Sequence, residues 1–192
     1  MADKPYIIGF GGTTRAHSSS ERLVAAVLAE IEALGGRTVL LGGDKLAALP
    51  HYAPEHAERT PGQVEFVEAI RRADGIVIGS PSYHGGISGL VKNAIDLIAD
   101  LQKDRRVFLD GRPVGLVVAA GGWQGAGATL SAMRDMVHAL RGWPTPMGVA
   151  VNSGGQAIFD AEGRVIEAGT RDAIATQAQQ VMAFARASVQ VS

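Results

Sequence analysis

The chain has 192 residues, a formal net charge of −1 and no cysteine. This length fits one domain of ordinary size, so we expect residues 1–192 to form a single domain. The absence of cysteine excludes disulfides, thiolate metal sites, iron–sulfur ligation and thiol redox chemistry. A nearly neutral chain lacks the basic surface that phosphate neutralisation requires, so no nucleic acid partner is expected.

The hydropathy of the chain and its first residues indicate where in the cell the protein is expected. No run of about twenty apolar residues occurs, which argues against a membrane span. The opening residues 1–5 lead directly into the apolar run Tyr6–Phe10, without a charged and then apolar leader. We therefore expect a cytoplasmic protein.

In the first half of the chain, short apolar runs alternate with helical patterns. Residues 6–10 and 38–41 are predicted to be strands, and residues 18–34 between them a helix that ends at two glycines. Ser18 and Glu21 have the spacing of a capping box, as do Thr60 and Gln63. Residues 42–60 are predicted to be a surface loop, and the next elements are a helix over 61–73 and a strand over 76–78.

The second half continues the alternation. The predicted elements are a helix over 87–98, a strand over 114–119, a helix over 130–140, a strand over 147–151 and a last helix that starts near residue 170. A tight turn is expected at 160–163. Alternating strands and helices predict a doubly wound parallel sheet, in which ligands bind beyond the carboxyl ends of the strands.

The loop after the first strand combines glycine, hydroxyl groups and one arginine. It covers residues 11–20 and leads into a helix N-terminus. Hydroxyl and backbone donors, a guanidinium and the positive end of a helix dipole together predict a phosphate site. The alternative is a helix cap on a solvated polar loop. Neither a P-loop lysine nor the third glycine of a dinucleotide fingerprint is present.

Two further glycine-rich loops follow the third and fourth strands. In residues 80–89, Tyr83 and His84 are placed to hold the edge of a planar ligand, although a glycine-rich turn around a buried tyrosine is the alternative. In residues 119–127, backbone amides can face a polar ring edge. Trp123 would then cover the ring or pack against another subunit.

Together, the three loops resemble the NADPH-dependent FMN reductase family over nearly the whole chain. The segments that carry the resemblance are Gly11–Arg15 with Ser18 and Ser20, Pro81–Gly85, Ser88–Asp96, and Gly121–Gly122. The resemblance implies a flavodoxin-like α/β fold, a doubly wound five-stranded parallel sheet of order 2-1-3-4-5 with helices on both faces. It also implies flavin mononucleotide (FMN) as cofactor and NADPH or NADH as co-substrate.

The resemblance also assigns the binding residues. The FMN phosphate would be held by Thr13, Arg15, Ser18, Ser19 and Ser20. The ribityl chain and ring would be held by Pro81, Ser82, Tyr83, His84 and Gly85. The pyrimidine edge would lie near Gly121 and Gly122, with Trp123 beside it. No metal and no catalytic side chain is expected, because hydride would pass directly between nicotinamide and flavin.

Several functional alternatives remain open at this level. The enzyme would supply reduced flavin, for example to a flavin-dependent monooxygenase, or would act as a quinone, azo or metal-oxyanion reductase. A flavodoxin-like electron carrier is disfavoured because such a carrier needs an acidic docking surface, and a regulatory flavoprotein without turnover is the other rival. A homodimer or homotetramer is expected, because Leu97 and Leu101 add apolar surface beside the helix stripe.

Overall fold

The computed structural model describes residues 4–189, so residues 1–3 and 190–192 of the predicted domain lie outside the described part. Its strands are β1 (Tyr6–Gly11), β2 (Arg37–Leu41), β3 (Gly75–Tyr83), β4 (Gly86–Ile87), β5 (Pro113–Ala120), β6 (Trp143–Pro144) and β7 (Val149–Asn152). Its α-helices are α1 (Ser19–Ala33), α2 (Gly43–Ala47), α3 (Pro61–Arg72), α4 (Gly89–Asp96), α5 (Trp123–Ala139) and α6 (Ala168–Val189). A 3₁₀ helix, Leu97–Leu101, continues α4.

The parallel strands lie in the order β2-β1-β3-β5, and β6 and β7 follow each other along the outer side of β5. The predicted order 2-1-3-4-5 is therefore confirmed, with its fifth position divided into two short pieces. Pro144 and Pro146 lie at and after the end of the first piece, and neither has a backbone N–H to offer the sheet. The remaining strand, β4, forms a small antiparallel hairpin with β3.

Both faces of the sheet are covered. Ile76 and Ile78 of β3 point into a core formed with α3, α4 and α5. Val77 between them points into a second core formed with α1 and α6. Because successive side chains of a strand point to opposite faces, a strand buried on both sides needs an unbroken apolar run. No helix within residues 4–189 is long and apolar enough to cross a membrane.

Helix α1 lies unusually close to the sheet. A Cβ atom placed on Gly9 would lie 2.5 Å from Val24 Cγ1, and one placed on Gly79 would lie 2.3 Å from Val24 Cγ2. Real carbon atoms do not approach this closely, so an alanine at either position would force Val24 or the helix to shift. The two glycines bring the N-terminus of α1 directly over the carboxyl ends of β1 and β3.

The structure corrects three of the predictions made from the sequence. The predicted loop over 42–60 contains helix α2, and helix α5 begins at Trp123, so residues 123–127 are helical rather than a loop. Leu97 and Leu101 are fully buried in the chain's own core, so they do not provide the predicted surplus of exposed apolar surface. The 3₁₀ helix that carries them turns both side chains inward.

The two predicted helix caps differ in outcome. Thr60 and Gln63 form the complete, reciprocal capping box. Ser18 accepts the N–H of Glu21, but the Glu21 carboxylate accepts a hydrogen bond from the N–H of Gly43, at 2.8 Å. Glu21 therefore connects α1 to the start of α2 instead of closing the box.

The close contact of α1 gives a testable prediction. We expect Gly79→Ala to lower the free energy of unfolding by about 1–3 kcal/mol, because the added methyl group overlaps Val24. Gly127→Ala is the matched control: it lies in α5, and a Cβ there meets no atom within 4 Å. That control should raise the free energy of unfolding by about 0.5–1 kcal/mol. Urea unfolding followed by circular dichroism measures both, and equal effects of the same sign would contradict the packing argument.

Candidate functional site

A cavity of about 420 Å³ opens at the carboxyl ends of β1, β3, β5 and β7, where the fold predicts a ligand site. Its volume falls within the range of small-molecule sites, about 300–1,000 Å³. The lining residues are Thr13, Thr14, Arg15, Ser18, Ser19, Ser20, Pro81, Ser82, Tyr83, Ala119, Ala120, Gly121 and Ser153.

Hydroxyl groups and a helix N-terminus form one end of this cavity. Ser18 and Ser20 are buried and their hydroxyl oxygens lie 3.4 Å apart, while Ser18 also caps α1. Thr13 Oγ1 accepts the N–H of Arg15 at 3.1 Å, which turns the loop back on itself. The first N–H groups of α1 have no partner within the helix. This end of the cavity therefore offers several donors to an anion.

The β2–α2 connection fixes the position of this first loop. A Cβ atom on Gly43 would lie 1.9 Å from the carbonyl oxygen of Thr13, so the two backbones are in direct contact. The N–H of Gly43 donates to the Glu21 carboxylate on α1. Helix α2, which was not predicted from the sequence, thus contacts the loop that carries the hydroxyl groups of the cavity.

The second loop is held by buried hydroxyl groups. Ser80 Oγ accepts the N–H of Ser88 at 3.1 Å, across the base of the β3–β4 hairpin. Ser82 Oγ donates to the carbonyl oxygen of Gly125 at 3.1 Å and accepts from the hydroxyl of Thr129 at 2.8 Å. The following residue, Tyr83, is 54% exposed at the cavity edge, so the alternative of a buried tyrosine is wrong.

The third side of the cavity is backbone from the end of β5. The Ala120 carbonyl oxygen accepts from the N–H of Ser153 at 2.7 Å and from its hydroxyl at 3.1 Å. A Cβ on Gly121 would meet no atom within 4 Å, so the space beside this residue is open. Trp123, at the start of α5, is 66% exposed.

Most of the predicted site residues line this cavity, but not all of them. Those outside its lining are His84, Gly85, Gly122 and Trp123. His84 and Gly85 form the exposed turn between β3 and β4, with positive φ angles of 53° and 80°. Gly122 and Trp123 lie at the N-terminus of α5, just beyond the lining residue Gly121. These four residues surround the lining rather than form it.

Four lining residues are absent from the predicted binding residues; three of them lie within the predicted loops 11–20 and 119–127, and the fourth lies outside both. They are Thr14, Ala119, Ala120 and Ser153. Ser153 follows β7, and strands that run parallel end at the same edge of the sheet. Since the fifth predicted strand also ends at this edge, the loop that follows it, with Ser153, could have been predicted as part of the site.

A larger cavity, of about 960 Å³, lies at the opposite ends of the strands. Its fully buried Arg112 donates to the carbonyl oxygens of Arg71, Ala73 and Phe108 at 2.8–2.9 Å. Burial lowers the pKa of Arg112 to about 10, so the group stays protonated at neutral pH and keeps its donors. Arg71 pairs with Asp104 at 2.6 Å. The charges of Arg112, Arg71 and Asp104 are therefore engaged in contacts within the protein.

The first cavity suits a phosphate-bearing ligand with a polar planar part. Hydroxyl, guanidinium and helix N-terminal donors line one end, and backbone groups with the two fixed hydroxyls of Ser82 and Ser153 form the other sides. Among residues 4–189 no group of three or more histidine, aspartate or glutamate side chains is placed to hold a metal ion.

Comparison with known proteins agrees with this geometry. Residues 5–156 match the family described as NADPH-dependent FMN reductase. An NAD(P)H-dependent FMN reductase of Pseudomonas aeruginosa is 27% identical over 188 residues, which cover 97% of this chain and 98% of that protein. An FMN-dependent NADPH-azoreductase of Staphylococcus haemolyticus is 33% identical over 96 residues, which cover 50% of this chain and 47% of that protein.

A solved structure shares the fold. The flavoenzyme NAD(P)H:(acceptor) oxidoreductase FerB of Paracoccus denitrificans superposes with a TM-score of 0.74 at 20% identity, covering 95% of this chain and 98% of that one. The family match extends over most of the chain and includes all three glycine-rich loops. The chain therefore belongs to the NADPH-dependent FMN reductase family, and the predicted class, an NAD(P)H-dependent flavin oxidoreductase with FMN as cofactor, is confirmed.

Proposed function

We propose that residues 1–192 form one FMN-binding domain that reduces flavin with NADPH or NADH, and that FMN occupies the cavity at the carboxyl ends of β1, β3, β5 and β7. The observation that carries the proposal is the convergence of buried hydroxyl groups and the α1 N-terminus at one end of this cavity. A terminal phosphate is the part of FMN that needs such donors. FMN fits the residues present.

The phosphate would be held by the hydroxyl groups of Thr13, Ser18, Ser19 and Ser20 and by the guanidinium of Arg15. Buried hydroxyls are already oriented by their neighbours, so they lose little freedom when they bind. The arginine adds charge and directional donors, which strengthen a bond to an anion. The positive end of α1 favours the same charge.

The rest of the cofactor would lie against the second and third loops. Pro81, Ser82 and Tyr83 would contact the ribityl chain and ring, and Gly121 the pyrimidine edge. The four outer residues would complete the rim: they are His84, Gly85, Gly122 and Trp123. Bound FMN supplies the chemistry, since it accepts hydride from a nicotinamide and passes the electrons on. The protein's part is to orient the cofactor and leave one edge open to substrates.

A separate proposal concerns the substrate that would accept electrons from the bound flavin. We propose free flavin as the acceptor, with low quinone activity, and a flavin-dependent monooxygenase as a consumer of the reduced product. Direct azo reduction is the second candidate, and the azoreductase relatives favour it. A cytoplasmic location is proposed with both. A flavodoxin-like carrier is disfavoured by the near-neutral charge of the chain.

The function is tested by steady-state turnover. The purified protein is first analysed for bound chromophore and is then supplied with NADPH or NADH and with FMN, quinone or azo dye in turn. We expect nicotinamide oxidation that depends on added FMN. A protein that binds FMN but does not oxidise either nicotinamide would be a regulatory or carrier flavoprotein instead.

Phosphate recognition gives the second prediction. We expect Arg15→Ala to weaken FMN binding by about 1.5–3 kcal/mol, the contribution of a hydrogen bond to a charged group, and to leave riboflavin binding unchanged. Isothermal titration calorimetry measures both affinities. Arg105→Ala, which removes an exposed arginine at the opposite ends of the strands, is the matched control. A wild-type protein that binds riboflavin as tightly as FMN would contradict the phosphate assignment.

Cofactor retention gives the third prediction. Apart from Tyr83 and Trp123 at its edge, the cavity offers only small apolar side chains, so one edge of the flavin ring would gain little apolar burial. We expect FMN to dissociate on dilution, and initial rates to follow ping-pong kinetics because nicotinamide and acceptor share the open edge. Gel filtration at sub-micromolar concentration with flavin quantitation is the test. Full retention of FMN without reduction of added flavin would indicate a prosthetic-group enzyme.

The fourth prediction concerns assembly. We propose a homodimer or homotetramer, supported by the exposed aromatic residues Trp143 and Phe184, whose ring centroids lie 5.6 Å apart, rather than by Leu97 and Leu101, which are buried. Exposed aromatic surface is typical of protein interfaces. Light scattering at micromolar concentration should give at least twice the 20.0 kDa mass of the chain. A monomer under these conditions would refute the proposal.

A further inference from the structure

The hydroxyl of Ser82, which lines the cavity, makes two hydrogen bonds within the protein. Its oxygen lies 3.1 Å from the carbonyl oxygen of Gly125 and 2.8 Å from Thr129 Oγ1. Both partners belong to α5, one helical turn apart, and therefore lie on the same helix face. Thr129 is fully buried, so its hydroxyl does not exchange this bond for one to water.

The direction of each bond follows from the chemistry of the groups. A carbonyl oxygen can only accept, so Ser82 has to donate its single proton to Gly125. With that proton committed, the bond between the two hydroxyls requires Thr129 to donate and Ser82 to accept. One lone pair remains on Ser82 Oγ, on a residue that lines the cavity.

We propose that Thr129 is a positioning residue that, together with the Gly125 carbonyl oxygen, fixes Ser82 as a hydrogen-bond acceptor for the flavin, one that meets a donor of the ribityl chain or ring and never the phosphate. This inference rests on the proposed function, because it concerns the cofactor of that site. A phosphate dianion offers only acceptor oxygens, which an acceptor-only hydroxyl cannot bind. A ribityl hydroxyl or a ring N–H is the chemistry that fits.

The same bonds fix the distance between two sides of the cavity. Ser82 belongs to the second loop, whereas Gly125 and Thr129 belong to the helix that follows the third. A Cβ on Gly125 would lie 2.9 Å from Ser82 Oγ, so the helix backbone is pressed against the serine. Thr129 therefore acts on the ligand only through Ser82.

The test compares Thr129→Val, which removes the donor at nearly constant volume, with Thr129→Ser, which keeps it. FMN and riboflavin dissociation constants are measured for both variants, for Ser82→Ala and for the double variant. We expect Thr129→Val to weaken both flavins about three- to tenfold and by the same factor, since the bond is remote from the phosphate. Thr129→Ser should restore binding to within about twofold. Thermal unfolding of each variant confirms that it is folded.

The double variant decides whether Thr129 acts through Ser82. In the Ser82→Ala background, Thr129→Val should have no further effect on binding, whereas independent residues would add their effects. Lumiflavin, which lacks the ribityl hydroxyls, identifies the donor: loss of the Thr129→Val effect assigns a ribityl hydroxyl, and its persistence assigns a ring N–H.

Three results would overturn the inference while leaving the proposed function intact. These are wild-type affinity in Thr129→Val, additive losses in the double variant, or an effect of Thr129→Val on FMN that riboflavin does not share. Failure of the wild-type protein to bind either flavin would overturn both the inference and the proposed function.

Discussion

Helix α1 packs so closely on β1 and β3 that any residue larger than glycine beneath Val24 would force a shift, and the candidate site depends on this contact. Gly9 and Gly79 let the helix approach the two central strands without intervening side chains. The first turn of α1 thereby reaches the point where strand order reverses. The close packing of α1 on the sheet also brings the buried Ser18 and Ser20 to the cavity. The packing of the core therefore determines where these hydroxyl donors lie.

Around this contact, the loops are held by side chains that are not themselves part of the cavity. Glu21 ties the first loop to α2 through the N–H of Gly43, and Thr129 ties the second loop to α5 through Ser82. Preorganised polar groups lose little entropy on binding, which suits a protein whose cofactor performs the redox chemistry. Tyr83 and Trp123, by contrast, are exposed at the edge of the cavity.

The sequence predicted the sheet well because apolar runs of buried parallel strands are a strong signal. Helix α2 was missed because its five residues follow Gly42 and precede prolines, a composition typical of a loop. The start of α5 was missed because its two glycines, Gly125 and Gly127, are poor helix formers, and tertiary packing of Gly125 against Ser82 overrides that preference. Leu97 and Leu101 were misplaced because a switch from α to 3₁₀ geometry changes which side chains share a face.

The candidate site was predicted mainly where loops follow strands directly. Ser18, Ser20 and Ser82 are in the lining because the carboxyl ends of parallel strands meet at one edge. The supporting contacts of Gly43 with Thr13 and of Thr129 with Ser82 join residues about 30 or more positions apart. Such pairs leave no local pattern, so composition and spacing along the chain could not reveal them.

One end of the cavity combines buried hydroxyl groups with one exposed arginine. These two kinds of donor respond differently to ionic strength. Dissolved salt screens an exposed guanidinium over a distance of about 8–10 Å at physiological concentrations, but it barely affects short hydrogen bonds from buried groups. In the proposed phosphate site, attraction by Arg15 would therefore fade as salt rises, while the contribution of the buried Ser18 and Ser20 would persist. A phosphate held in this way keeps its orientation in concentrated electrolyte and loses chiefly the charge-dependent part of its affinity.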